Sequence, residues 1–197
     1  MVSLRYFVTG AIALVAATVN AAATPQQIAD GINSITQKSS ALQGTAQSIS
    51  VLNAPLIIIG QGPFPMLIAG FTDIVSTATA LADQMGAATK RRRGMAIAGM
   101  AKRGPDDDLV FNSYRAMVDV NQALLNILIG KAGTIEKVPV VGPPVAAVLR
   151  SFEAIIDTIS ITLINTFESR AKDLTSAANS LDATLTLAIQ KYDGLQI

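Results

Sequence analysis

The chain has 197 residues, 50% of them hydrophobic and 15% charged, with a net charge of +1, no Cys and no His. It is too apolar for a disordered polymer, and it has no global field that would attract nucleic acid. Disulfides are excluded, as are Ser-His-Asp, Cys-His and zinc chemistries, because the groups they need are missing.

The first segment reads as a secretory signal peptide. Arg5 supplies its positive start, Tyr6 to Val19 its apolar run, and Ala21-Ala22-Ala23 a small-residue cleavage site. The run falls short of the ~20 residues a bilayer needs, so residues 1–22 are expected to be removed. Residues 23–197 remain, enough for a single domain held by packing alone. No transmembrane segment is expected after removal.

From Pro25, a natural first helical residue, Ile28, Ile32, Ile35, Leu42, Ala46, Ile49 and Leu52 recur at spacings of three and four, with Ser39 at one seam position. The spacing predicts one long helix with a narrow apolar seam, stopping near Asn53-Ala54-Pro55 because a residue before proline leaves the helical region. Leu56 to Pro65 is an apolar connector broken by Gly60, Gly62, Pro63 and Pro65, which argues against a continuous membrane span over Leu56 to Val75. A second helix then carries Leu67, Ile68, Phe71, Ile74, Val75, Ala78, Leu81, Ala82 and Met85 and is expected to end at Gly86.

Residues 87–105 lack a stable period and read as an exposed basic loop, with a run at Lys90 to Arg93 and a pair at Lys102-Arg103. The secretory start and the missing aromatic platforms argue against a nucleic-acid patch. Three readings stay open: a patch for anionic lipid headgroups, cleavage by a late secretory protease at Arg93, Lys102 and Arg103, and a plain solvated loop.

A third helix opens with Gly104-Pro105-Asp106-Asp107-Asp108. The three carboxylates are expected to cap free N–H groups and complement the helix dipole rather than hold a metal, since adjacent residues on a helix point in different directions. It continues through Val110, Tyr114, Met117, Val118, Asn121, Leu124, Leu125 and Leu128 to about Gly130. After a Gly- and Pro-rich segment, Pro143-Pro144 starts the most apolar helix, with Val145, Val148, Leu149, Phe152, Ile155, Ile156, Ile159, Leu163 and Phe167 on one face and Arg150, Glu153 and Asp157 on the other. The last pattern, Ala171, Leu174, Ala178, Leu181, Leu185, Ala188 and Tyr192, returns to a narrow seam and either continues its predecessor or kinks against it.

The expected fold is therefore all-α, an up-and-down bundle of four to five amphipathic helices. Stripes on the middle helices are broader than contact with two neighbours requires. They must face a crowded core, an internal cavity or an apolar partner. Phe71, Val75, Val118, Leu125, Phe152, Ile156, Ile159 and Leu163 are the candidates to line an apolar, lipid-binding site.

A cleavable signal, a Pro-led helix with sparse Ile and Leu among Ser, Thr, Gln and Ala over Pro25 to Leu52, few aromatics, and a final helix with Leu174, Leu181 and Leu185 together resemble the fungal hydrophobic surface-binding protein A family, also called cell wall galactomannoproteins. The resemblance implies a secreted, non-enzymatic helical bundle in medium or cell wall. Members adsorb to hydrophobic surfaces, and some enclose a fatty acid between helices. The basic loop looks like an insertion, and no Ser/Thr-rich stalk, GPI-type tail or N-x-S/T sequon is present.

The expected function is a secreted binding protein for an apolar surface, fatty acid or other lipid, extracellular or loosely wall-associated, with no cofactor, no metal and no nucleic-acid partner. The alternative is a secreted interaction protein or effector precursor that meets secreted hydrolases or host proteins and is processed in the basic loop. An enzyme is not expected, because Asp, Glu, Ser, Lys and Tyr form no recognisable acid–base or nucleophilic cluster.

Overall fold

Thr24 starts the first helix by a reciprocal cap. Its hydroxyl accepts from the Gln27 backbone N–H at 3.2 Å while the Gln27 side chain accepts from the Thr24 N–H at 2.9 Å. The computed structural model describes residues 23–53, 56, 60–92, 104–133 and 141–195. The expected signal peptide 1–22 and the processing candidates Arg93, Lys102 and Arg103 lie outside the described residues.

Five helices follow in order: α1 (Pro25–Gln47), α2 (Pro63–Arg92), α3 (Pro105–Ala132), α4 (Gly142–Thr166) and α5 (Ala171–Asp193). A short 3-10 turn, Glu168–Arg170, joins the last two, and there is no strand among the described residues. The fold is an all-α bundle whose successive helices alternate in direction.

Two helix ends differ from expectation. α1 stops at Gln47, not near Asn53, because side chains capture the backbone groups that would extend it. Ser48 Oγ donates to the Thr45 carbonyl, Asn53 Nδ2 donates to the Ser48 carbonyl at 2.6 Å, and Asn53 Oδ1 accepts from the Ser50 N–H at 2.8 Å. Ile49 stays buried, but Leu52, expected on the seam, is 91% exposed. In the other case, α2 runs through Gly86 to Arg92, so the segment expected as loop from residue 87 is helical up to Arg92. A glycine inside a helix costs only about 1 kcal/mol relative to Ala, too little by itself to end the helix. The question left open between the fourth and fifth helices resolves as a break. Phe167 leaves the helical region at φ −114°, ψ 65°, and the chain restarts at Ala171.

The helices form a closed ring in the spatial order α1, α3, α5, α4, α2 and back to α1. Registers fix their directions. Gln43 Nε2 donates to the Val120 carbonyl and Lys131 Nζ to the Ile49 carbonyl, so α1 and α3 are parallel. Gln122 reaches Ser180 and Tyr192 Oη reaches the Leu128 carbonyl, so α3 and α5 are parallel too. α2 and α4 run the other way: Lys38 pairs with Asp73 at 2.7 Å between α1 and α2, and Arg150 pairs with Asp193 between α4 and α5. Two glycines permit close helix contact, since a Cβ at Gly70 would meet Leu42 at 2.3 Å and one at Gly142 would meet the Tyr192 carbonyl at 2.3 Å.

A ring of five encloses a central core, and that geometry accounts for the broad stripes. Each helix contacts two ring neighbours and also presents a third strip inward. Among the described residues α3 and α4 are not backbone neighbours, yet Tyr114 Oη and Ser160 Oγ meet across the centre at 2.6 Å. The apolar surplus expected on the middle helices is thus consumed by the interior. By length and composition one helix stretch among the described residues, Pro63–Gly86 of α2, would suffice to cross a membrane. In the fold it buries Phe64, Leu67, Phe71, Ile74, Ala78 and Leu81 against the bundle.

Candidate functional site

The interior is built from the inward strips of all five helices, with Tyr114, Tyr192, Phe64, Phe71, Phe152, Ile32, Ile35 and Met117 among its largest fully buried side chains. Seven of the eight candidate lining residues lie in this core: Phe71, Val118, Leu125, Phe152, Ile156, Ile159 and Leu163. Val75 is half-buried and packs against the core from outside. The structure brings Phe71 and Phe152 together edge to face, ring centres 5.6 Å apart, across the α2–α4 contact.

Polar atoms inside this apolar space are few, and their partners are informative. Ser160 Oγ donates its one proton to the Ile156 carbonyl at 2.7 Å, so Tyr114 is the donor in the Tyr114–Ser160 bond. Burial pushes the Tyr114 phenol above its ordinary value, against the opposing pull of that hydrogen bond. Burial likewise holds Tyr192 far above the usual tyrosine range, and its hydroxyl donates to the Leu128 carbonyl at 3.1 Å. Among the described residues two buried side-chain oxygens stand without a hydrogen-bond partner: Ser39 Oγ on α1 and Asn121 Oδ1 on α3. Leaving such an atom unpaired costs on the order of 1–3 kcal/mol, so both are positions where a ligand hydroxyl or protonated carboxyl would be welcome. Their signal was present in the sequence, since both are polar residues set on otherwise apolar seams.

Two recesses lie on the α3–α5 seam. The first, about 300 Å³, has Phe111, Val118 and Ala177 as its apolar wall and Arg115, Asp119 and Asp173 among its polar lining. Val118 is the one candidate residue that lines it. The second, about 510 Å³, sits at the end of the seam between Ile129, Ala132, Gly133, Gln190, Lys191 and Leu195. Both volumes fall in the range of small-molecule sites, roughly 300–1,000 Å³. In the wall of the first recess the seam is latched by Gln122 Nε2, which donates to the Ser180 carbonyl at 2.9 Å and lies 2.8 Å from Ser180 Oγ. The sequence pattern, which placed lining residues on α2, α3 and α4, did not single out α5 as a wall.

The three aspartates opening α3 do not form a side-chain cap at Gly104. Instead Asp107 accepts from Ser169 Oγ, and Asp108 pairs with Arg170, which also reaches Asp173 at 2.8 Å and stacks over Phe111 at 4.8 Å. The hydrogen bonds that Arg170 donates to Asp173 and then to Asp108 raise its pKa above the ordinary value. The acidic turn therefore pins the α4–α5 break to the start of α3. Among the described residues no three His, Cys, Asp or Glu side chains are grouped to hold a metal ion.

No family model matches the chain, and no curated protein matches it either. Among solved structures, Afmp4p in complex with palmitic acid superposes with a TM-score of 0.68 at 16% identity, covering 85% of this chain and 99% of that one. The likeness is one of fold.

Proposed function

We propose that this protein is a secreted, non-enzymatic lipid-binding protein that holds a fatty acid, or a similar single-chain lipid, among its helices. The observation that carries the reading is the fold shared with Afmp4p, whose crystal structure is a complex with palmitic acid, taken with an interior built almost wholly of apolar side chains. The family resemblance of the sequence points the same way.

The acyl chain lies along the inward strips that carry Phe71, Val118, Leu125, Phe152, Ile156, Ile159 and Leu163, where each CH₂ removed from water contributes about 0.8 kcal/mol. Access is through the α3–α5 seam, which holds both recesses and whose Gln122 latch is made of exchangeable polar bonds. The polar head is received by a group lacking a partner inside, such as Ser39 Oγ or Asn121 Oδ1, or stays at the seam end beside Lys191.

Native mass spectrometry of the protein purified from a secreting host, before and after addition of palmitate, tests this. A bound acid at one per chain is expected. A protein that neither co-purifies with lipid nor takes up palmitate overturns the carrier reading.

A further inference from the structure

The exposed apolar side chains are not scattered evenly. Val51, Leu52, Leu56 and Met66, exposed by 62%, 91%, 38% and 64%, sit together in the α1–α2 connector and the first turn of α2. From Ser39 to Thr72 the sequence has no ionisable side chain at all, an uncharged stretch that includes the whole tip of this hairpin.

Part of the tip's backbone is already paired inside the protein. Several of its described backbone groups find partners within the protein: the Ser50 N–H on Asn53 Oδ1, the Ser48 carbonyl on Asn53 Nδ2, the Leu56 N–H on the Asn53 carbonyl, the Gln61 N–H on the Leu56 carbonyl and the Ile49 carbonyl on Lys131. Each backbone group satisfied in this way lowers the cost of placing the segment among lipid headgroups and chains.

From this arrangement we infer that the α1–α2 tip is a docking element for the surface of a phospholipid bilayer, inserting Val51, Leu52, Leu56 and Met66 at the headgroup–acyl boundary. Lys131, tied to the Ile49 carbonyl at 2.8 Å, and exposed Lys191 set positive charge at the same end, where anionic headgroups would lie. The wider seam recess, lined by Lys191 and Leu195, is at that end too. Docking therefore presents the proposed lipid access to the membrane. The four side chains expose apolar surface on the order of 400 Å², the size of a functional patch but about half of the ~800 Å² per partner that a stable dimer buries, which favours a bilayer over a second copy of this chain. The docking goes beyond the lipid-carrier reading and does not require a lipid inside the bundle.

The test is flotation with vesicles of phosphatidylcholine alone and of phosphatidylcholine with a minority of phosphatidylglycerol. Full-length chain expressed in a secreting host is compared with Val51→Glu/Leu52→Glu and with Ile161→Glu, whose 59% exposed side chain lies on α4. Wild type should float, more strongly with the anionic lipid. The tip variant should lose roughly ten-fold or more in partitioning while keeping its helical circular dichroism, and Ile161→Glu should float as wild type. Docking is overturned if wild type stays at the bottom of the gradient, if the tip variant floats unchanged, or if Ile161→Glu loses as much. A dimer in sedimentation velocity that the tip variant dissociates assigns the patch to a second copy instead. Palmitate uptake in vesicle-free buffer separates the two readings, since a protein that floats but takes up no palmitate keeps the docking and loses the carrier.

Discussion

Truncating Phe152 to Ala distinguishes a filled interior from a chamber lined for a ligand. Phe152 is fully buried on α4 and packs edge to face on Phe71, ring centres 5.6 Å apart at an interplanar angle of 62°. Removing a phenyl ring from such a site forfeits its transfer free energy and leaves a void that rigid helices only partly close, a loss of about 3–5 kcal/mol, of which the aromatic pair accounts for roughly 0.5–1.5. Urea unfolding followed by circular dichroism measures it on lipid-free protein. For a domain of this size each kcal/mol also lowers the melting temperature by roughly 2–4 °C, so thermal scans provide a second reading. Palmitate at a hundred times its dissociation constant should then raise stability by about 2.7 kcal/mol in wild type by mass action. A truncation cost below about 1.5 kcal/mol in lipid-free protein would refute the packing argument, because it would mean that the ring already faces empty or adaptable space.

Gly142→Ala and Gly86→Ala should move stability in opposite directions under the same denaturant assay. A Cβ at Gly142 meets the Tyr192 backbone carbonyl at 2.3 Å and costs roughly 1–3 kcal/mol, whereas one at Gly86 meets nothing within 4 Å and should gain about 0.5–1 kcal/mol. Ser39→Ala removes a buried hydroxyl that has no partner, so it should stabilise the lipid-free protein by about 1 kcal/mol while weakening palmitate binding in calorimetry. Unchanged affinity would remove Ser39 as the head-group site. Burial raises the carboxyls of Glu153 and Asp157, and the nearby Asp182 charge raises them further. A folded pKa above the unfolded one means that the protonated form suits the fold, so this strain is full at neutral pH and is relieved as pH falls through the raised values. Asp182→Asn should accordingly stabilise by a few tenths of a kcal/mol at pH 7, since these groups are largely solvated, and the gain should vanish near pH 3.

Fold class was legible because 3.6-residue periodicity is a local property. The runs from Ile28 to Ala46 and from Val110 to Leu128 predict both their helices and their buried faces, and the structure buries them with Leu42 half-buried. The α1 end was not legible, because Asn53 stops the helix by bonding to Ser48 and Ser50, a competition that apolar spacing does not register. Gly86 misled because the local penalty of a glycine inside a helix is modest. Of the candidate lining residues, burial could be read from stripe width, but the surface each one faces could not.

The sequence by itself determined that this chain makes amphipathic helices, that none of its chemistry can use Cys or His, and that an uncharged stretch joins the first two helices. Only the tertiary structure decided the rest. Closing five helices in the order α1, α3, α5, α4, α2 turned the surplus apolar surface inward, put both recesses on the α3–α5 seam and left the α1–α2 tip as the exposed apolar end. The physical reason is that periodicity specifies which face of a helix avoids water, whereas the partner that covers that face depends on ring order and direction, which are set by contacts between residues far apart in the chain.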